Sequence, residues 1–122
     1  MIQSGDYDGD AAADPAIFRP TGGLWSIRGI TRLYFGNSTD QTAPGDYDGD
    51  GTADIALFRK SGGMWAVNQI TRVYFGGEAD LPVAADYRGD GHLEYAVYRP
   101  YYGLWSVRDY TRLYIGGNSY LP

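Results

Sequence analysis

Residues 45–59 read Gly-Asp-Tyr-Asp-Gly-Asp-Gly-Thr-Ala-Asp-Ile-Ala-Leu-Phe-Arg, an aspartate-rich loop that runs directly into an apolar segment. Related segments begin forty residues earlier, at Gly5, and forty residues later, at Ala85. A fixed period of this length is typical of stacked supersecondary units. We therefore interpret residues 1–122 as a single repeat domain of three units, at about residues 1–40, 41–80 and 81–122. Other residues keep the same period: Arg19, Arg59 and Arg99; Trp25, Trp65 and Trp105; Arg32, Arg72 and Arg112.

The second unit shows what each repeat folds into. Residues 54–59 alternate between two largely apolar faces, which predicts a strand covered on both sides. A turn at 60–63 leads to a strand over 64–68, and a reversal at 69–70 leads to a strand over 71–75. A short strand before the acidic loop makes four strands in the unit. No segment keeps the 3.6-residue apolar period of a helix.

The repeat predicts an all-β fold of three four-stranded antiparallel sheets, which are the blades of a β-propeller. A β-solenoid is the alternative, although solenoid coils are usually shorter than this repeat. Closed propellers have roughly four to eight blades, and the end units show no polar capping face. We therefore expect a homodimer in which blade three of each chain packs on blade one of the other, closing a six-bladed ring.

The acidic loops have the residue types that a hard cation requires. Calcium takes about six to eight oxygens from carboxylates, carbonyls and water, and alternate aspartates on a tight loop can point inward together. An EF-hand is excluded because Leu57 stands where its last glutamate would be. The alternative is an aspartate-rich turn whose carboxylates only cap backbone amides. The candidate calcium ligands are Asp6, Asp8, Asp10, Ala12 and Asp14 in the first loop, and Asp46, Asp48, Asp50, Thr52 and Asp54 in the second. In each loop the residue between the last two aspartates, Ala12 or Thr52, contributes its backbone carbonyl.

The first and third loops depart from the middle one. Ala11 stands where the middle loop has glycine, so a positive φ there would strain the backbone. In the third loop Arg88 and Glu94 replace the second and last aspartates. We expect no metal in this loop, and instead an ion pair among Arg88, Asp86 and Asp90.

Composition excludes several classes of function. The formal net charge is −5, which disfavours binding to nucleic acid or to anionic membranes. The absence of cysteine excludes disulfides and cysteine-bound zinc. No apolar run is long enough to span a membrane, and residues 1–4 show no signal-peptide pattern.

No residue pattern predicts catalysis. His92 is the only histidine and has no counterpart in the other units, so we interpret it as incidental. The serines have no His/Asp pattern, and no glycine-rich loop opens a helix. We therefore expect that the protein is not an enzyme. The repeated tryptophans and arginines have two interpretations: packing between blades, with arginine stacked on tryptophan or paired with a loop carboxylate, or three equivalent sugar sites.

Residues 46–59, followed by Gly-Met-Trp at 63–65, resemble the FG-GAP or VCBS-type repeat of integrin α-subunit propellers and of many bacterial secreted and surface proteins. Tyr-Phe-Gly at 34–36 and 74–76 matches its Phe-Gly element, whereas Tyr-Ile-Gly at 114–116 departs from it. The resemblance implies a propeller, calcium between the first and second strands of each blade, and a secreted or cell-surface location. It also implies a role in adhesion or in recognition of an extracellular protein or glycan. A multivalent lectin and a purely structural or engineered propeller fragment are the alternatives.

Overall fold

The computed structural model describes residues 3–114. This part of the chain is all-β, with eleven strands and no helix, and so no helix that is long and apolar enough to cross a membrane. The strands are β1 (Ala16–Arg19), β2 (Leu24–Ile27), β3 (Thr31–Tyr34), β4 (Asp40–Thr42), β5 (Ala56–Arg59), β6 (Met64–Val67), β7 (Thr71–Tyr74), β8 (Leu81–Pro82), β9 (Ala96–Arg99), β10 (Leu104–Val107) and β11 (Thr111–Tyr114).

The strands form three antiparallel meanders, one for each repeat. Sheet one has the order β1-β2-β3, sheet two has β4-β5-β6-β7, and sheet three has β8-β9-β10-β11. The four strands predicted for each unit are confirmed in sheets two and three. In the first unit the segment before the acidic loop is represented by a hydrogen bond from the Gln3 amide to the Ala16 carbonyl (2.8 Å). The residues before Gln3 lie outside the described range.

The sheets pack face to face through their inner strands. Phe18 and Trp25 of sheet one form a core with Leu57 of sheet two. On the opposite face of sheet two, Phe58 forms a second core with Val97 of sheet three. Both faces of β5 are therefore covered, as its apolar alternation predicts.

The tryptophans of the first two units are packing residues. Trp25 and Trp65 are completely buried, and their indole N–H groups donate to the carbonyls of Phe35 (3.1 Å) and Phe75 (3.0 Å). The packing interpretation is confirmed for these two units, and neither indole offers a platform for a sugar.

The arginines that follow the tryptophan period do not stack on them. The Arg59 guanidinium instead donates to both carboxylate oxygens of Asp40, at 2.7 and 2.9 Å. Arg99 binds Asp80 in the same way, at 2.8 and 3.0 Å. Both carboxylates are almost fully buried, and each also accepts an amide hydrogen bond of 2.9 Å from the turn before it. Each pair joins the start of the first strand of a sheet to the end of the second and fixes the turn before it. The signal for these pairs, which were not predicted, is the forty-residue period that Asp40 and Asp80 also keep.

Glycine is required at position 63, where the turn between β5 and β6 approaches the residues that follow β7. Gly63 has φ of +64°, and a Cβ there would lie 2.1 Å from the carbonyl oxygen of Gly76. A side chain would therefore force the β5–β6 turn away from the end of β7. The close approach explains Gly63, whereas Gly62 has φ of +87° and open space around it, so only its backbone conformation favours glycine.

Candidate metal centre

The three acidic loops lie side by side at one end of the sheets. In sheets two and three the loop joins the first and second strands, β4 to β5 and β8 to β9. The Ala53 amide of loop two donates to the Asp6 carbonyl of loop one (2.6 Å). The Leu93 amide of loop three donates in the same way to the Asp46 carbonyl (3.0 Å). Backbone bonds therefore connect each loop with the next.

The first aspartate of each loop organises the backbone. Asp46 Oδ1 accepts the amides of Gly49 (2.7 Å) and Asp50 (3.1 Å), and Oδ2 accepts the amide of Gly51 (2.9 Å). Such bonds from an aspartate to the amides that follow it are typical of tight turns. The carboxylate is thereby fixed at the centre of the loop, and Asp6 makes the three equivalent bonds in loop one.

Loop one follows this course at a conformational cost. Ala11 has φ of +70°, where the equivalent Gly51 has +89°. A residue with a Cβ is strained in this region by about 1 kcal/mol. The strain predicted at Ala11 is confirmed.

The aspartates at alternate positions come together in loops one and two. Carboxylate oxygens of Asp46, Asp48 and Asp50 all lie within 4.8 Å of one another, and those of Asp6, Asp8 and Asp10 do the same. A cluster of oxygen donors this close is the ligand type that hard cations prefer. These acidic groups could therefore hold a metal ion.

The remaining candidate ligands have other contacts. Asp54 and Asp14 lie outside the two clusters, and they accept the amides of Tyr47 and Tyr7, both at 2.8 Å. Thr52 donates its amide (2.9 Å) and its hydroxyl (2.8 Å) to Asp50 Oδ1. The Ala12 amide donates to Asp10 Oδ1 (2.9 Å). Carboxylate capping of amides, the alternative to a metal site, is thus present together with the clusters of oxygen donors.

The charges of loop two are crowded. The pKa of Asp54 is raised to about 6 by partial burial and by the negative charges of Asp48 and Asp50, against the effect of the Tyr47 amide. The pKa of Asp48 is also raised, first by desolvation and then by the Asp50 side chain, against the effect of the Asp50 amide. The pKa of Asp50 is lowered, chiefly by the hydrogen bond from the Thr52 amide. A bound cation would neutralise this repulsion.

The tyrosine that follows the first aspartate connects each loop with the segment that precedes it. The hydroxyl groups of Tyr7, Tyr47 and Tyr87 donate to backbone carbonyls four residues earlier, at 2.6 to 2.7 Å. Burial, followed by the charge of Asp14, raises the pKa of Tyr7 to about 12. This role was not predicted, and its signal in the sequence is the Asp-Tyr pair that occurs in all three loops.

Loop three keeps the backbone course but not the predicted ion pair. Asp86 accepts amides as its equivalents do, and Glu94 accepts the amides of Tyr87 (2.7 Å) and Arg88 (3.1 Å). The guanidinium of Arg88 donates to the Asp109 carbonyl and lies 4.8 Å from the centre of the Tyr110 ring. The ion pair predicted among Arg88, Asp86 and Asp90 is wrong, because backbone amides already satisfy Asp86, and a carbonyl and a ring outside the loop bind the guanidinium.

His92 lies between two carboxylates of loop three. Its Nε2 is 3.3 Å from Asp90 Oδ2, and its Nδ1 is 3.6 Å from Glu94 Oε2. Loop three therefore contains an imidazole where loops one and two have only oxygen donors. The histidine that we interpreted as incidental is part of this group, and its position between two acidic residues in the sequence was the available signal.

The chain was also compared with known proteins. No family model, no curated protein and no solved structure matches it. The geometry and the donors of the loops are therefore the basis for a function. Loops one and two have two sets of oxygen donors on rigid turns, and loop three has a mixed set.

Proposed function

We propose that the chain is a calcium-binding repeat module of a β-propeller that acts in adhesion or ligand binding outside the cell. The observation that carries the proposal is the pair of carboxylate clusters, with oxygens within 4.8 Å of one another in both loop one and loop two. Amides of the loop itself hold the first aspartate in place. The resemblance to FG-GAP repeats supports the secreted or cell-surface location.

Calcium fits this donor set better than other common ions. It accepts about six to eight oxygen ligands in variable geometry, whereas zinc and copper favour imidazole or sulfur. Asp46, Asp48 and Asp50 would hold the ion. Asp54 and the Thr52 carbonyl are the neighbouring groups that could complete its coordination. The raised pKa values of Asp48 and Asp54 support a cation, because its charge would offset the crowding of like charges.

Thermal unfolding in calcium, in magnesium and in chelator tests the metal. A ligand that binds only the native state stabilises it by about 2.7 kcal/mol per site at one hundred times its Kd. We expect calcium to raise the Tm, and Asp48→Asn to lose roughly half of that increase. Glu78→Gln, at an exposed acidic residue outside the loops, is the matched control and should keep the full increase. The same Tm in calcium and in chelator would contradict the proposal.

The two end faces of the array support closure into a ring. Ile17 of sheet one is 46% exposed, whereas its equivalents Leu57 and Val97 are 3% and 4% exposed against a neighbouring sheet. At the other end Trp105 is partly exposed, whereas Trp25 and Trp65 are covered. The two end faces correspond in position to the two sides of the packing that the chain makes twice internally, and this correspondence supports the proposed closure.

A second copy of the chain would supply the missing halves. Ile17 of one copy would pack on the Trp105 face of the other, as Leu57 packs on Trp25. The Ala13 amide would donate to the Asp86 carbonyl, as Ala53 donates to Asp6. Two such junctions relate the copies by a two-fold axis and close a six-bladed ring, which is within the common range of roughly four to eight blades.

Light scattering tests the closure. At micromolar concentration we expect about twice the chain mass of 13.4 kDa. Ile17→Arg should give a monomer, because it places a charge at the junction. Ile70→Arg, at an exposed isoleucine on a turn of the middle unit, should remain a dimer. A well-folded monomer of the unmodified chain would overturn the dimer.

A further inference from the structure

An open cleft of about 580 Å³ lies between sheets two and three. Its wall on sheet three contains Val97, Ser106 and Arg112, which are in register across β9, β10 and β11. Phe75 and Gly76, after the last strand of sheet two, line the opposite side. Its volume is within the range of small-molecule sites, roughly 300 to 1,000 Å³. Because both sheets belong to one chain, the cleft is present with or without a second copy.

Two guanidinium groups of the cleft are available to a ligand. Arg99 is committed to the buried carboxylate of Asp80. Arg108 is exposed, and its only ion pair within residues 3–114 is a 3.5 Å contact with the exposed carboxylate of Asp109. Arg112 is exposed and makes no ion pair with another described residue. The cleft therefore presents two cations beside one carboxylate.

Arg88, which replaces the second aspartate in loop three, holds the rim of the cleft. The Arg88 guanidinium donates to the Asp109 carbonyl and lies over the Tyr110 ring, and it thereby fixes the β10–β11 turn. The middle unit has Asp48, Asn68, Gln69 and Ile70 at the positions of Arg88, Arg108, Asp109 and Tyr110. In the third unit a candidate metal ligand is therefore replaced by an arginine that supports the cleft.

We propose that this cleft binds a saccharide that carries a carboxylate, of the uronic-acid type. The planar guanidinium of arginine binds carboxylates through paired, charge-assisted hydrogen bonds, and Arg108 and Arg112 supply two. Sugar hydroxyls can donate to the Asp109 carboxylate and exchange hydrogen bonds with Ser106. An acidic peptide fits less well, because it lacks the ring hydroxyl groups that would donate to the Asp109 carboxylate and exchange hydrogen bonds with Ser106. This assignment names a ligand class for the proposed function. It depends on that function only for the role in ligand binding.

Isothermal titration of the full chain in calcium buffer tests the cleft. The probes are an oligogalacturonate, the neutral galactose oligosaccharide of equal length, sodium sulfate and a glutamate-rich peptide. We expect binding of the oligogalacturonate alone. Arg112→Gln and Arg108→Gln should each weaken it about tenfold, the effect of one charge-assisted bond. Arg72→Gln, the matched position on β7, should change it less than about twofold.

Arg88→Gln tests the support of the rim. Arg88 is a positioning residue, so Arg88→Gln should weaken the binding of oligogalacturonate while the number of calcium ions bound stays the same. Equal binding of the neutral sugar, the sulfate or the peptide would overturn the assignment. So would no binding at all, or an equal loss from Arg72→Gln. A separate calcium titration of the same chain distinguishes the two proposals, because sugar binding without any calcium binding would overturn only the metal site, and calcium binding without sugar binding would overturn only the cleft.

Discussion

Loops two and three have the same backbone scaffold and different centres. Asp46 and Asp86 each accept three amides from the residues that follow them. In loop two Asp48 joins the carboxylate cluster, whereas in loop three Arg88 turns away from the loop toward Asp109. The comparison teaches that the first aspartate and the glycines specify the shape of the loop, while other positions determine which donors it offers to a cation.

The two loops also differ in electrostatics. The pKa of Asp86 is lowered, chiefly by the hydrogen bond from the Gly91 amide. In loop two the pKa of Asp54, which occupies the position of Glu94, is raised to about 6 by burial and by neighbouring carboxylates, while that of Asp50 is lowered. Loop two therefore accumulates negative charge that a cation would relieve, whereas loop three contains the imidazole of His92 between its carboxylates.

The largest expected effect comes from removing the shared scaffold. Asp46→Ala and Asp86→Ala each remove three amide bonds, which contribute about 0.5 to 1.5 kcal/mol apiece. We therefore expect both to lower the free energy of unfolding by about 2 to 3 kcal/mol in chelator, measured with urea. Only Asp46→Ala should also reduce the stabilisation by calcium. An equal calcium response in the two variants would break the distinction between the loops.

Exchanging the residues that differ should exchange the behaviour of the loops. Asp48→Arg should remove one calcium per chain, and Arg88→Asp should create an additional site in loop three. Titration of calcium into each variant measures the stoichiometry. The comparison fails if Arg88→Asp binds no more calcium than the parent, provided that its circular dichroism spectrum shows an unchanged fold.

The pH dependence of calcium binding should follow Asp54. Its folded pKa of about 6 lies above its ordinary value of 3.8, so the calcium-free folded state retains the proton more strongly than the unfolded state. Asp54 therefore contributes stability below about pH 4 that is lost as the pH rises through about 6. Calcium requires the carboxylate, so its affinity for loop two should fall by up to about tenfold per pH unit below pH 6.

Calcium titrations between pH 5 and 7 measure this dependence. Asp54→Asn removes the titrating group and should flatten the profile of loop two. A parent affinity that is constant over this range would contradict the role of Asp54.

The smallest expected effect concerns the backbone of loop one. Ala11→Gly should stabilise the chain by about 1 kcal/mol, because φ is +70° at this position. Ala12→Gly is the control, since Ala12 is not among the described residues with a positive φ, and it should not stabilise. Differential scanning calorimetry in chelator distinguishes the variants. A lower Tm for Ala11→Gly would show that the alanine is not strained.

The repeat made much of the fold predictable. Apolar alternation at 54–59 predicted a strand covered on both faces, and Leu57 and Phe58 do pack on opposite sheets. Aspartate spacing predicted that the first three aspartates of loops one and two come together, whereas Asp14 and Asp54, which were predicted with them, lie outside the clusters. Such local patterns are readable because neighbouring positions determine them.

Contacts between distant parts of the chain were less predictable. The pairing of Arg59 with Asp40 joins residues 19 positions apart, which the antiparallel register of β4 with β5 places opposite each other. Arg88 was expected to bind carboxylates near it in sequence, but the fold brings it to Asp109. Charge complementarity alone could not rank these partners, because backbone amides compete for the same carboxylates.

The most direct test of the central distinction is the number of calcium ions bound per chain. Isothermal titration at pH 7 on the unmodified chain should give two ions, one each in loops one and two. Asp48→Ala should reduce this number to one, and Arg88→Gln should leave it at two. Three equal sites, or none, would contradict the account.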